Sequence, residues 1–378
     1  MKKILLPLAT ILLIISCKKE TNKNDQSLET YTFLRNNESS VSYTGQIERQ
    51  DMLSEMGDYM LLAHSLGREI SADTLQAMYK NEYGFSGTYT KNLFSKTFAN
   101  DQQFFLDQMI AMAEASKEVS NATPGKAGVL NEEYPQAGTA ESAGYLVNEN
   151  GLEYRQLIIK RLMGAVFFHQ AMEVYFGEDY MNNHGSDNQT VEAGKNYTPM
   201  EHHFDEAFGY AGIPTDLSTD YTDKNNSALG IWGEYIVERS NDNGTFGIPG
   251  LNEALISAFI EGRTAIVDQN YTARNAAITN IAELWEKAII YTAGNYFKRS
   301  ITETNVYKKH HYLSEGIGFL LASQYHFDNG TSVAPRYFNS AKIEEALTII
   351  GLNTNLYNVT ETELNQVIAL ITSAEPQA

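Results

Sequence analysis

His202 and His203 stand side by side in EHHFDEAFGYAG (residues 201–212), with Asp205 and Glu206 directly after them. Imidazole nitrogen plus carboxylate oxygen is a donor set that suits first-row metals. On a helix His202 and Glu206 are four apart and His203 and Glu206 three apart, so either pair can point one way. A second stretch, KHHYLSEGIGFLLA (residues 309–322), carries the same ingredients. Aligning Glu206 with Glu315 lays EAFGY over EGIGF and His202 over His311. A single His/Glu pair reads as a local ion pair worth on the order of a few tenths of a kcal/mol. Two pairs in matching contexts read as an internal duplication. Bundles build metal sites from His and Glu one turn apart on facing helices, and the second histidine of each pair could hydrogen-bond behind the metal's own ligands. The candidate metal residues are therefore His202, His203, Glu206, His311 and Glu315, with Asp205 beside them. The competing reading is a packing device, in which Gly209, Gly316 and Gly318 simply let helices approach.

Helices must position these groups, and the sequence supplies them. Thr198 is a good N-cap, Pro199 suits the first helical position and Glu201 completes a capping box. Elsewhere apolar residues recur at threes and fours: around Met52 to Leu61, over 101–116, 151–177, 252–269 and 273–300, and over 342–350 and 361–373. Few segments alternate with period two. The chain reads as all-α, built of packed helical bundles. Gly-, Asn- and Pro-rich breaks fall at 120–145, 178–197 and 240–249. The last of these separates possible halves, 38–240 and 250–376.

The bulk composition supports a globular body and bounds its partners. Of 378 residues 43% are hydrophobic and 20% charged, enough for one large or two medium domains. The formal net charge of −19 repels phosphate backbones, which argues against nucleic acid as a partner. There is no HExxH, no Gly-rich phosphate loop and no G-x-S-x-G elbow. His64 and His169 read as core or boundary residues, His184 lies in a polar loop, and His326 suits a helix end.

The first seventeen residues are a separate object. MKKILLPLATILLIISC has a basic start and an apolar run too short to span a bilayer. It resembles a bacterial lipoprotein signal with IISC as the lipobox and Cys17, the chain's one cysteine, as the lipidated residue. Lipid chains anchor without spanning. Residues 18–37 read as a flexible tether and 38–376 as the body. Lys18 after the cysteine is compatible with sorting to the outer membrane of a Gram-negative bacterium, by resemblance to known lipoproteins.

The motif HHFDEAFGYAG is similar to the G-x-H-x-x-E signature of imelysin-like proteins, with His203 and Glu206 in the His and Glu places and Glu201 where glycine is expected. The chain from about Val41 onward resembles a branch of uncharacterised bacterial lipoproteins related to imelysins, through SVSYTGQIERQDML, AFIEGRTAI and LSEGIGF. The resemblance implies two related helical bundles and a part in iron or haem acquisition at the cell envelope, with other envelope uptake proteins as partners. It favours His203 with Glu206, whereas the repeat favours His202 with Glu206 and His311 with Glu315. Arg49, Glu261 and Arg263 are second-tier candidates, read first as core ion pairs that set helix register.

Three functions follow as expectations. The first is a membrane-anchored binding protein for iron, another divalent metal or haem, with binding favoured over catalysis. The second is a zinc metallopeptidase with Asp205 as general base. The third is an interaction module without metal, using the 23 tyrosines and 17 phenylalanines to hold haem, glycan or a protein.

Overall fold

The computed structural model describes residues 30–65, 67–131, 144–183, 186–326, 337–352 and 355–374. Cys17, the signal and His184 lie outside the described residues.

The body is helical, as the periodicity requires. Helix α1 spans Thr44–Leu61 and buries Met52, Leu53, Met56 and Met60 on one stripe. Helices α2 (Ala72–Lys80) and α3 (Gln102–Ser116) follow. Helix α4 (Tyr154–Leu162) runs on without a break into wide π-helical turns over Met163–Phe168 and Gln170–Tyr175. A short α5 (Glu178–Met181) leads to α6 (Pro199–Ala211), which starts on the predicted capping box: Thr198 Oγ1 accepts from Glu201 N, and Glu201 returns the bond to Thr198 N. Then come α7 (Ile231–Asn241), α8 (Leu251–Val267), α9 (Tyr271–Thr302) and α10 (Val306–Ser323). Helices α11 (Ser340–Ile350) and α12 (Glu361–Thr372) close the chain.

The 32-residue α9 is the central rod. It packs along α8, α10, α12 and α7 and buries Ile278, Ile281, Trp285 and Ile289. A wide apolar face is what a helix flanked on several sides needs. Each large side chain so buried contributes about 2 kcal/mol. The links 268–270 and 303–305 are short, so α8, α9 and α10 fold back on one another. One apolar core runs from Tyr31 to Ala374 across both halves suggested by the 240–249 break, which here is only the α7–α8 connection.

Two readings need correction. The stretch 120–145 is more than a break: Gly128–Asn131 (β3) pairs antiparallel with Gly144–Val147 (β4), a small sheet beside α3 and α10. Residues 30–37 belong to the body and not to a tether. Leu34–Arg35 (β1) pairs with Glu38–Ser39 (β2), and the Tyr31 ring stacks on Phe208 at 3.9 Å. Their polar composition hid the fact that buried carboxylates on α6 hold them.

Candidate functional site

The α6 cluster divides into two parts that back onto each other. Glu201 and Asp205 face inward. Arg263 of α8 reaches Glu201 Oε1 at 2.9 Å and Asp205 Oδ1 at 3.0 Å, and Arg35 grips Glu201 with both terminal nitrogens at 2.7 and 2.9 Å. Tyr31 donates to Asp205 at 2.7 Å and Ser42 N donates to its other oxygen at 3.2 Å. Burial raises the Asp205 carboxyl to about 7, against Arg263 and Tyr31, which pull it down. Both oxygens of this acid accept hydrogen bonds and the side chain is fully buried, so Asp205 has no solvent-facing side from which to act as a general base. Glu201 closes the helix cap and this ion network at once. Arg263 is the core ion pair expected of it. Arg49 is buried too, but its donors go to the carbonyls of Asn92 and Gly45. Glu261 corrects the expectation of a core pair: it is exposed on the outer face of α8.

His202, His203 and Glu206 form the outer part. His203 Nδ1 lies 3.1 Å from Glu206 Oε2, and Gln46 of α1 donates to Glu206 Oε1 at 2.9 Å. His202 Nδ1 meets the Ser42 carbonyl at 3.0 Å, so that nitrogen carries the proton and Nε2 keeps its lone pair, 4.0 Å from Glu206 Oε2. Burial would raise Glu206, but the His203 bond, the nearby His202 imidazole and the Gln46 bond hold it below the usual carboxylate range. Burial lowers His202.

The α10 cluster is built alike. His311 Nε2 lies 3.6 Å from Glu315 Oε2, and Lys160 of α4 pairs with Glu315 Oε1 at 3.4 Å. The His311 ring stacks on Tyr145 at 4.2 Å, as the His202 ring stacks on Tyr197 at 4.4 Å. Ser314 Oγ accepts from Glu153 N at the start of α4, as Asp205 accepts from Ser42 N just before α1. The glycine three residues after each glutamate is a contact point. A Cβ on Gly318 would lie 2.7 Å from Lys160 Cβ, and one on Gly209 would lie 2.9 Å from Gln46 Cβ, so each glycine admits the helix that carries the glutamate's partner. The packing role expected of these glycines is what the structure displays. These parallels follow the alignment of His202 with His311 and of Glu206 with Glu315.

The two clusters do not share a set of ligands. Glu206 is held by α1 and α6, Glu315 by α4 and α10. Among the described residues no group of three or more His, Cys, Asp or Glu side chains is placed to hold a metal ion. A bare cation would have to displace Gln46 from Glu206 or the Lys160 ammonium from Glu315.

The α10 cluster differs from its α6 counterpart in two ways. It extends inward, and it borders a cavity of about 500 Å³. Glu153, fully buried at the N-cap of α4, receives His311 Nδ1 at 2.6 Å and lies 3.5 Å from His64 Nε2. Burial alone would raise Glu153, but His311 and His64 hold it low. Burial would lower His311, and the Glu153 charge and hydrogen bond raise it instead. Burial also works against the Lys160 charge, yet Tyr235 and Glu315 keep its pKa raised. Tyr235 contacts the Lys160 ammonium directly. Sequence reasoning missed Glu153, Lys160 and His64 as members of a site. For Glu153 and Lys160 the one local signal is charge set just before or within the apolar run YRQLIIKRL; His64 has none of this kind. The cavity wall contains His311 and Glu315 and none of the α6 candidates. A second cavity of about 500 Å³ lies under α11, where Arg161 and Asp101 already close a 2.7 Å pair with Tyr325 beside them.

Residues 28–374 match the model of a family described as a domain of unknown function (DUF4856). No curated protein and no solved structure matches the chain.

Proposed function

We propose that the chain, which belongs to the DUF4856 family, is a lipid-anchored binding protein of the cell envelope that takes iron in a chelated form or as haem. The observation that carries this reading is the position of His311 and Glu315 in the wall of the 500 Å³ cavity. That volume lies within the roughly 300–1,000 Å³ usual for small-molecule sites. The likeness to imelysins supplies the iron, and the lipobox at Cys17 supplies the anchor, with other envelope uptake proteins as partners. A chelate or haem suits the wall better than a bare ion, because Lys160 already neutralises Glu315.

The test uses the full chain in detergent. Haem is followed by its absorption band, and ferric citrate by elemental analysis of the protein after desalting. Binding of either near one equivalent, weakened in His311→Ala and Glu315→Gln, is the expected result. A folded wild-type protein that takes up neither has no place in iron uptake.

One observation favours a second reading, a divalent ion on α6. His202 Nε2 keeps its lone pair and faces Glu206 Oε2 at 4.0 Å, a two-ligand bite that needs further ligands from elsewhere. Zinc or ferrous ion retained by the wild type and lost from His202→Ala would move the site from α10 to α6.

A further inference from the structure

The cavity beside α10 is a positively biased pocket in an acidic protein. Five lysines and arginines line it against three carboxylates, although the whole chain carries −19. Two of the lysines are already spoken for: Lys160 by Glu315 at 3.4 Å and Lys224 by Glu238 at 3.5 Å. Glu315 in turn is shared with His311 at 3.6 Å. The other two acids of the wall, Asp58 and Glu234, are exposed. Lys308, Arg155 and Arg299 close no ion pair among the described residues; Arg155 feels Glu153 and Arg299 feels Glu315 only through space.

The two arginines are the unusual ones. Elsewhere among the described residues, half-buried and buried guanidinium groups are closed off. Arg35, Arg161, Arg239 and Arg263 each have a carboxylate within 2.9 Å. Arg49 and Arg274 spend donors on backbone and amide oxygens. Arg155 instead uses only Nε, which donates to the Gly57 carbonyl at 3.0 Å. That bond fixes the plane of the group and leaves both terminal nitrogens unspent. Arg299, on α9, lies over the ring of Tyr312 at 4.2 Å and that of Tyr296 at 5.1 Å, and meets the Tyr312 hydroxyl. A guanidinium held by ring faces and a phenol feels Glu315 only through space and keeps its fork available. Partly desolvated positive charge of this kind is costly unless a counter-charge arrives.

We infer that the cavity binds an organic oxyanion, with its carboxylate or phosphate group taken by Arg155 and Arg299 and its carbon body laid against Tyr145, Tyr296 and Tyr312. Planar bidentate pairing with an oxyanion is the contact for which a guanidinium fork is shaped. The tyrosine rings supply flat apolar surface with polar tips, suited to a ring or an unsaturated chain. His311 and Glu315, at the same wall, give one donor and one acceptor for hydroxyl or amide groups of that body. This inference deepens the binding reading above and rests on its choice of cavity. It adds the ligand's charge and the residues that select it, and it holds whether or not the ligand carries iron.

The experiment is calorimetric titration of the full chain in detergent with citrate, inorganic phosphate, benzoate and, as a neutral probe, glucose. At least one of the three oxyanions is expected to bind near one equivalent and glucose not to bind. Arg155→Gln and Arg299→Gln are each expected to weaken that binding by about tenfold or more, with near-ultraviolet circular dichroism reporting that the fold is kept. Arg68→Gln, outside the cavity, is expected to bind as the wild type does. Should either variant fail to fold, Arg155→Lys and Arg299→Lys keep the charge and lose the fork, and intermediate weakening is expected. No binding of any oxyanion by folded wild type, or binding indifferent to both arginines, overturns the inference. Citrate or benzoate binding that requires the arginines, in a protein that ignores haem and ferric citrate, keeps the clamp and removes the iron. Haem uptake untouched by both arginine variants does the reverse. Phosphate preferred over citrate and benzoate would assign the phosphorylated class, and the opposite order the carboxylates.

Discussion

Glu153 Oε2 stands 2.6 Å from His311 Nδ1, while the other oxygen of the same carboxylate lies 3.5 Å from His64 Nε2. One fully buried acid thus faces two imidazoles, and it treats them unequally. The short, well-formed bond goes to His311, whose proton affinity is raised. Burial lowers His64 to about 4, so near neutrality it is the uncharged partner. Glu153 thus favours a proton on the histidine that also reaches the cavity, and leaves His64 the neutral member of the three.

Glu153→Gln is expected to remove the anchor of that proton. The His311 titration, followed by NMR of ring protons, should move down from its raised position to below the ordinary value of 6.5. Breaking one side of a buried pair costs on the order of 3 kcal/mol, read as a lower urea midpoint at neutral pH. A His311 titration that stays where it was would mean that Glu153 does not set it.

Acid should destabilise the protein through His64. A folded-state value of about 4 against an ordinary 6.5 means the unfolded chain binds the proton first as pH falls. Stability from this group is whole above 6.5 and is lost between 6.5 and about 4, by on the order of 3 kcal/mol. His311 has the opposite sign: its contribution is present below 6.5 and fades as pH rises through its raised value. Urea midpoints of wild type and His64→Gln, taken from neutral pH down to about pH 4, separate the first effect. The two curves should converge on the acid side, and parallel curves would refute the assignment.

Arg263→Met strands Asp205, which it holds at 3.0 Å in the core, and leaves Glu201 to Arg35 alone. A loss of roughly 3–5 kcal/mol is expected, because an acid stays buried without its guanidinium. Adding Asp205→Asn should recover part of it. Since Tyr31 and Arg35 dock on the same acids, limited proteolysis should also cut near residue 35 sooner in Arg263→Met. Thermal melts of the single and double variants show whether the second change helps.

Gly164→Ala tests the joint between the π-helical turns and α10. An added Cβ would lie 2.5 Å from both Cα and O of Ala322, which are backbone and cannot rotate away. Helix separation must follow, at a cost of about 2 kcal/mol or more. A melting temperature equal to wild type would mean that the two helices are less tightly joined than they stand.

Local features of the fold are legible in the amino-acid sequence. The capping box at Thr198 and Glu201, the apolar stripe of α1 and the long helix holding Trp285 rest on contacts three or four residues apart, and such spacing is written directly in the chain. The match of His202 with Glu206 to His311 with Glu315 is legible for the same reason, being intrahelical twice over. The partners of those glutamates are not. Lys160 comes to Glu315, Gln46 to Glu206 and Glu153 to His311 only because glycines let particular helices close on one another. The seating of Tyr31 and Arg35 on α6, the outward turn of Glu261 and the unspent guanidiniums of Arg155 and Arg299 depend on the same long-range packing. Helix formation here is a matter of neighbours along the chain, so sequence alone determined it. Which charges are paired and which are left for a ligand was decided by packing between residues far apart in sequence, where desolvation makes a missing partner costly.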